Sequence, residues 1–135
     1  MAIREVIFRG KRTDNGKWEC GDLLSPNEFN AIPHIVYIAY LNEYGDIGEI
    51  STPVIPETVG QYTGLTDKNG VRIFEGDIVS LVKHDSLIYK VVYVPCRYEL
   101  VNSKGVNCFV LDIYKSENIE VIGNIHDNPE LLQKI

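Results

Sequence analysis

For fifty residues, from Trp18 to Asp67, the chain carries neither lysine nor arginine. A stretch of that length without a cation is a poor path for a phosphate backbone, because such binding draws on clustered Lys and Arg that release counterions. Eight carboxylates fall within it: Glu19, Asp22, Glu28, Glu43, Asp46, Glu49, Glu57 and Asp67. The cations gather earlier, with Arg4, Arg9, Lys11, Arg12 and Lys17 against Glu5 and Asp14 in residues 1–17, a balance of +3. The whole chain has net charge -6 and pI near 5.0, which ranks nucleic-acid binding below protein binding. A basic segment followed by an acidic one also lets copies of one molecule attract each other.

Long apolar runs are missing too. The longest, Ile35–Leu41, is far short of the roughly 18 residues that suggest a membrane span. MAIREVIFRG places charge inside what would have to be an apolar signal core, so it does not read as a secretion signal. Cysteine is sparse: Cys20, Cys96 and Cys108 are odd in number and widely spaced, without C-x-x-C, so neither a disulfide framework nor a zinc site is indicated. Buried reduced thiols in a soluble cytoplasmic protein are expected.

Catalytic signatures are likewise wanting. No G-x-S-x-G, phosphate loop or G-x-G-x-x-G occurs. His84-Asp85 and His126-Asp127 resemble metal-binding dipeptides, but three histidines in a β-rich chain do not supply a ligand set. His34, between Pro33 and an aliphatic run, reads as a hydrogen-bonded structural histidine. Cys96 has a basic neighbour in Arg97, but the sequence places no base beside it. No enzyme activity, metal or cofactor is expected.

What is present is β structure. The 135 residues, 44% of them hydrophobic, suit one domain or two small lobes. Segments rich in Val, Ile, Tyr and Phe, bounded by Gly, Pro, Asn or Asp, predict strands at Val6–Phe8, Trp18–Leu24, His34–Leu41, Asp77–Lys83, Leu87–Val94, Arg97–Val101, Val106–Tyr114 and Ile119–Ile125. FRGKRTDNGKWECGDLL (8–24) and QYTGLTDKNGVRIFEGDIV (61–79) repeat one pattern, read as strand, tight turn, strand. Asn15-Gly16 and Asn69-Gly70 would take positive φ in the turns. Gly21 or Gly76 would bend the chain into the next strand, with Asp77 (and Asp22) binding exposed amides, and Gly64 marks the start of the second copy. Residues 42–60 read as irregular and acidic, which suggests a β lobe over 1–60 and a second lobe over 61–135. DNPELLQKI predicts a short terminal helix capped by Asn128.

Three blocks, FRGKRTDNGKWECGDLL, VGQYTGLTDKNGVRIFEGDIVSL and IEVIGNIHDNPELL, resemble in order and spacing the YopX-like family of small phage and prophage proteins. That resemblance implies a bacterial host cytoplasm, an SH3-like β-barrel over Phe74–Ile125, and no catalytic residues to transfer. Together with the charge pattern it favours a non-enzymatic accessory protein that binds protein: copies of itself, or another phage or host protein. The competing reading is a nucleic-acid-binding accessory protein. In either reading the contact residues are Arg4, Arg9, Lys11, Arg12 and Trp18.

Overall fold

β-branched and aromatic residues dominate the segments that pair, and the chain is antiparallel β nearly throughout. The computed structural model describes residues 5–82 and 87–133. They divide into two units, 1–61 and 62–135.

The first unit contains β1 (Phe8–Lys11), β2 (Trp18–Leu24), β3 (His34–Leu41) and β4 (Ile47–Pro53), in the order β4-β3-β2-β1. The first residues of β5 (Gly60–Thr66) pair with the far side of β1, as Phe8↔Gln61 and Arg9↔Gly60. β1 is therefore an interior strand, and among the described residues β4 is the open edge over Ile47–Thr52. At its end the sheet curls until Val54 bridges Arg12. Ile35 and Val54 are fully buried in this unit, each worth about 1.5–3 kcal/mol of burial. Gly10 permits that closeness, since a Cβ there would lie 2.9 Å from the Val54 side chain. The buried Thr58 hydroxyl accepts from the Lys11 amide at 2.9 Å and donates to the Ile55 carbonyl at 2.6 Å.

In the second unit, Tyr62 and Thr66 of β5 pair with Phe74 and Arg72 of β6 (Arg72–Phe74), across a bulge that holds Gly64 at φ +89°. Then follow β7 (Asp77–Leu81), β8 (Leu87–Val94), β9 (Arg97–Val101), β10 (Asn107–Val110), α1 (Ile113–Ser116) and β11 (Ile119–Asn124), with a terminal 3-10 helix at Pro129–Gln133. The five strands β7 to β11 make a sheet ordered β10-β9-β8-β7-β11. Ile73, Val79, Leu81, Tyr89, Val91, Leu100, Leu111 and Ile119 form its core.

Several expectations are corrected. A barrel over Phe74–Ile125 would need β10 and β11 to meet; among the described residues they are opposite edges, and the sheet stays open. Residues 42–60 are not irregular, because Ile47–Pro53 forms β4 and pairs with β3 along its length. The predicted strand Val106–Tyr114 stops at Val110, where the Asp112 carboxylate accepts the Lys115 amide at 2.8 Å and caps α1. The terminal helix is 3-10, and the Asn128 side chain does not cap it, accepting instead from the Asn124 amide at 3.2 Å. Gly21 is not a bend but an interior residue of β2, where a Cβ would lie 2.5 Å from the Val36 carbonyl oxygen. Its neighbour Asp22 is correspondingly exposed on the strand.

The turns have another geometry than the one expected from Asn-Gly. Gly16 and Gly70 have φ +70° and +80°, while among the described residues Cys96 alone of the non-glycines is positive, so Asn15 and Asn69 are not left-handed. In the second copy Asp67 organises the loop: its Oδ1 accepts from the Asn69 and Val71 amides at 2.8 and 2.9 Å. Asn42 binds the Tyr44 and Asp46 amides in this way, and Asn102 those of Lys104 and Val106. Each pattern is an Asx residue, two loop residues and a glycine that alone takes positive φ, Gly45, Gly70 or Gly105.

Candidate functional site

Directly opposed residues of antiparallel strands share a face, so the registers define the outer face of the first unit. Arg9 lies opposite Cys20 and Lys11 opposite Trp18. Continuing across β2 and β3, the same face carries Asp22, Leu24, Val36 and Ile38. Cys20, Asp22 and Leu24 are the exposed alternates of β2, and the even residues of that strand therefore look outward.

At one end of this face lies a cationic and aromatic cluster. The Arg9 guanidinium carbon is 4.7 Å and the Lys11 Nζ 5.5 Å from the Trp18 ring centre, distances at which the ring quadrupole attracts a cation. Arg12 does not join them. Its guanidinium binds Asp14 at 2.8 Å and Glu19 at 3.1 Å. The Asp14 hydrogen bond, then that of Glu19, drives Arg12 above the usual arginine range. In return the hydrogen bond from Arg12 holds the Asp14 carboxyl below its ordinary range. Arg4 lies outside the described residues. Of the five contact residues expected from sequence, the structure thus gathers Arg9, Lys11 and Trp18.

At the other end is a surface that the sequence did not reveal. Ile38 pairs with Glu49, and after a bulge between Ile38 and Tyr40, Leu41 pairs with Ile47. The extra residue returns Leu41 to the face of Ile38 and Ile47. These three apolar side chains are 64%, 68% and 58% exposed. Glu43, Asp46 and Glu49 lie on the same hairpin and are exposed, as is Tyr44 at the tip. The available signal was the apolar run Ile35–Leu41, but only the bulge decides which members face outward.

The other candidates belong to the scaffold. Asp67 is buried, and beyond its two loop amides its Oδ2 accepts the Val121 amide at 2.9 Å. It lines a cleft of about 490 Å³ with Tyr62, Leu65 and Ser116, but its oxygens are engaged by backbone amides. Buried Asp77 accepts the Phe74 amide at 2.7 Å, and Gly76 turns before it at φ +90°. Asn124 accepts from the amides of His126 and Asp127 at 3.0 and 2.9 Å, so this dipeptide is part of a turn. His84-Asp85 lies outside the described residues. His34 Nδ1 donates to the Ile32 carbonyl at 2.9 Å. The expectation of buried thiols is corrected for Cys20, outward on β2, and for Cys96, at the exposed β8–β9 turn. Among the described residues no three His, Cys, Asp or Glu gather as metal ligands, and no helix is long and apolar enough to cross a membrane.

This defines a class: an antiparallel β protein in two units, the first presenting a sheet face that is cationic at one end and apolar with carboxylates at the other. The chain belongs to the YopX protein family, which it matches over residues 7–133. Among solved structures, it is similar to the crystal structure of protein EF1440 from Enterococcus faecalis, with TM-score 0.59 and 25% identity over 95% of this chain and 98% of that one. Comparison with curated proteins gives no match.

Proposed function

We propose that this is a phage- or prophage-encoded accessory protein that acts in the bacterial cytoplasm by binding protein, without catalysis. The supporting observation is the group Ile38, Leu41 and Ile47, exposed together beside the open edge of β4. Large aliphatic side chains grouped on an edge hairpin are a common basis for protein contact. Membership of the YopX family is compatible with the phage setting.

Nucleic-acid binding is the second reading, favoured by Arg9 and Lys11. It is weakened by the net charge of -6 and by the absence of any cation from Trp18 to Asp67. The test is a pull-down from infected cells after nuclease treatment, with the parent chain and Ile38→Asp. A protein recovered by the parent and lost with Ile38→Asp supports the proposal. Recovery that disappears with nuclease, or oligonucleotide binding that weakens steeply with salt, would transfer the assignment to nucleic acid.

A further inference from the structure

We infer that the outer face of the first unit pairs with the same face of a second copy of this chain, in two-fold fashion. Arg9 and Lys11 of each copy would meet Glu49 of the other, and Ile38, Leu41 and Ile47 of each copy would lie against Trp18 of its mate. This rests on the protein-binding reading above and commits it to one occupant.

The argument begins with register. Arg9, Lys11 and Trp18 at one end, and Ile38, Leu41, Ile47 and Glu49 at the other, lie on one face of one sheet. Three strand spacings of about 4.8 Å separate β1 from β4 along the sheet. A two-fold axis through the middle of such a face brings the basic end of each copy onto the acidic end of its mate. Both contacts then form in a single docking event, as an isologous interface requires. The segregation of charge supplies the complementarity: the hairpin carries Glu43, Asp46 and Glu49, and no cation occurs anywhere between Trp18 and Asp67.

Other arrangements fit less well. Edge pairing of β4 with its own symmetry mate would crowd Glu49, Glu43 and Asp46 of two copies together, and like charges at an interface oppose binding. β1 cannot serve as a pairing edge, because β2 and β5 occupy its two sides. A patch four strands wide is at the small end of stable interfaces, so the dimer should be weak and salt-sensitive.

The experiment uses the full chain. Sedimentation velocity across about a hundredfold range of concentration should show the mass rising from one chain to two, earlier at low salt. Trp18 is the sole tryptophan, and its emission should shift over the same range because it lies within the contact. Lys11→Glu, and separately Glu49→Lys, should each weaken the dimer at least tenfold, while an equimolar mixture of the two should dimerise again. Restoration on mixing also shows that both variants are folded, and circular dichroism provides an independent check.

A monomer at every concentration overturns the inference, as does a dimer that both substitutions leave intact, or a mixture that fails to recover. If the chain is monomeric but Ile38→Asp still loses a nuclease-resistant partner, the two-fold pairing is wrong and the protein-binding reading stands. If neither dimer nor partner is found, both fall.

Discussion

A single carboxylate holds three backbone amides at Asp67, two within its own loop and one from Val121, fifty-four residues away. Replacement by Asn keeps the shape but turns one acceptor into a donor facing an N–H. We expect Asp67→Asn to cost about 1–3 kcal/mol in urea unfolding, the usual penalty for leaving buried polar groups unmatched. At Gly70, φ +80° in the same loop makes a β-branched residue strained, so Gly70→Val should cost more than about 1 kcal/mol despite open space around it. Asp14 is a case for acid. Its pKa is lowered in the folded chain, so the stabilisation from Arg12 is complete above the ordinary Asp value near 3.9 and is lost as pH falls through the lower folded value. The melting temperatures of the parent and Asp14→Asn should therefore differ near pH 7 and converge below about pH 4. At this scale the sequence was partly legible. Positive φ at Gly16 and Gly70 followed from Asn-Gly, but the controlling residue in the second loop is the Asp two positions earlier. In the first copy Thr13 occupies that place, and Asn15 instead accepts the Lys17 amide.

Elements were legible where turn residues bracketed β-branched and aromatic ones. β2, β3, β8 and β9 have the bounds that pattern predicts. β4 was hidden because Gly48 and Pro53 weaken its strand propensity and Glu49 interrupts its apolar residues; pairing along β3 overrides all three. α1 was hidden inside an apolar run and exists through the cap at Asp112. The candidate site shows the same division. Composition pointed to Arg9, Lys11 and Trp18, whereas Ile38, Leu41 and Ile47 needed the bulge in β3 to share their face. Gly21 tests the packing of this sheet directly. Gly21→Ala would drive a methyl group into the Val36 carbonyl and force β2 from β3, so a loss of about 2 kcal/mol or more is expected in thermal unfolding. A variant that melts like the parent would mean that the two strands lie farther apart.

At the scale of the whole molecule, each unit is a continuous stretch of chain, so neither must wait for distant sequence from beyond its own limits. Within the first unit, however, β1 has neighbours of very different reach: β2 follows after a short turn, whereas Gly60 and Gln61 are about fifty residues on. Closing the longer loop costs more entropy, so pulse-labelled hydrogen exchange during refolding should show the β1–β2 amides protected before the β1–β5 contacts. Simultaneous protection would indicate that the sheet forms in one step. In a living cell the delay has a minimum set by the ribosome. At roughly 5–20 residues per second, translation takes about 2.5–10 s to deliver Gln61 after Lys11 has been made. Throughout that interval the side of β1 that will receive β5 has no covering strand. A nascent chain paused before Gln61 would thus offer an unpaired edge to neighbouring chains on the same messenger, and codon choice across residues 12–61 would set how long that exposure lasts.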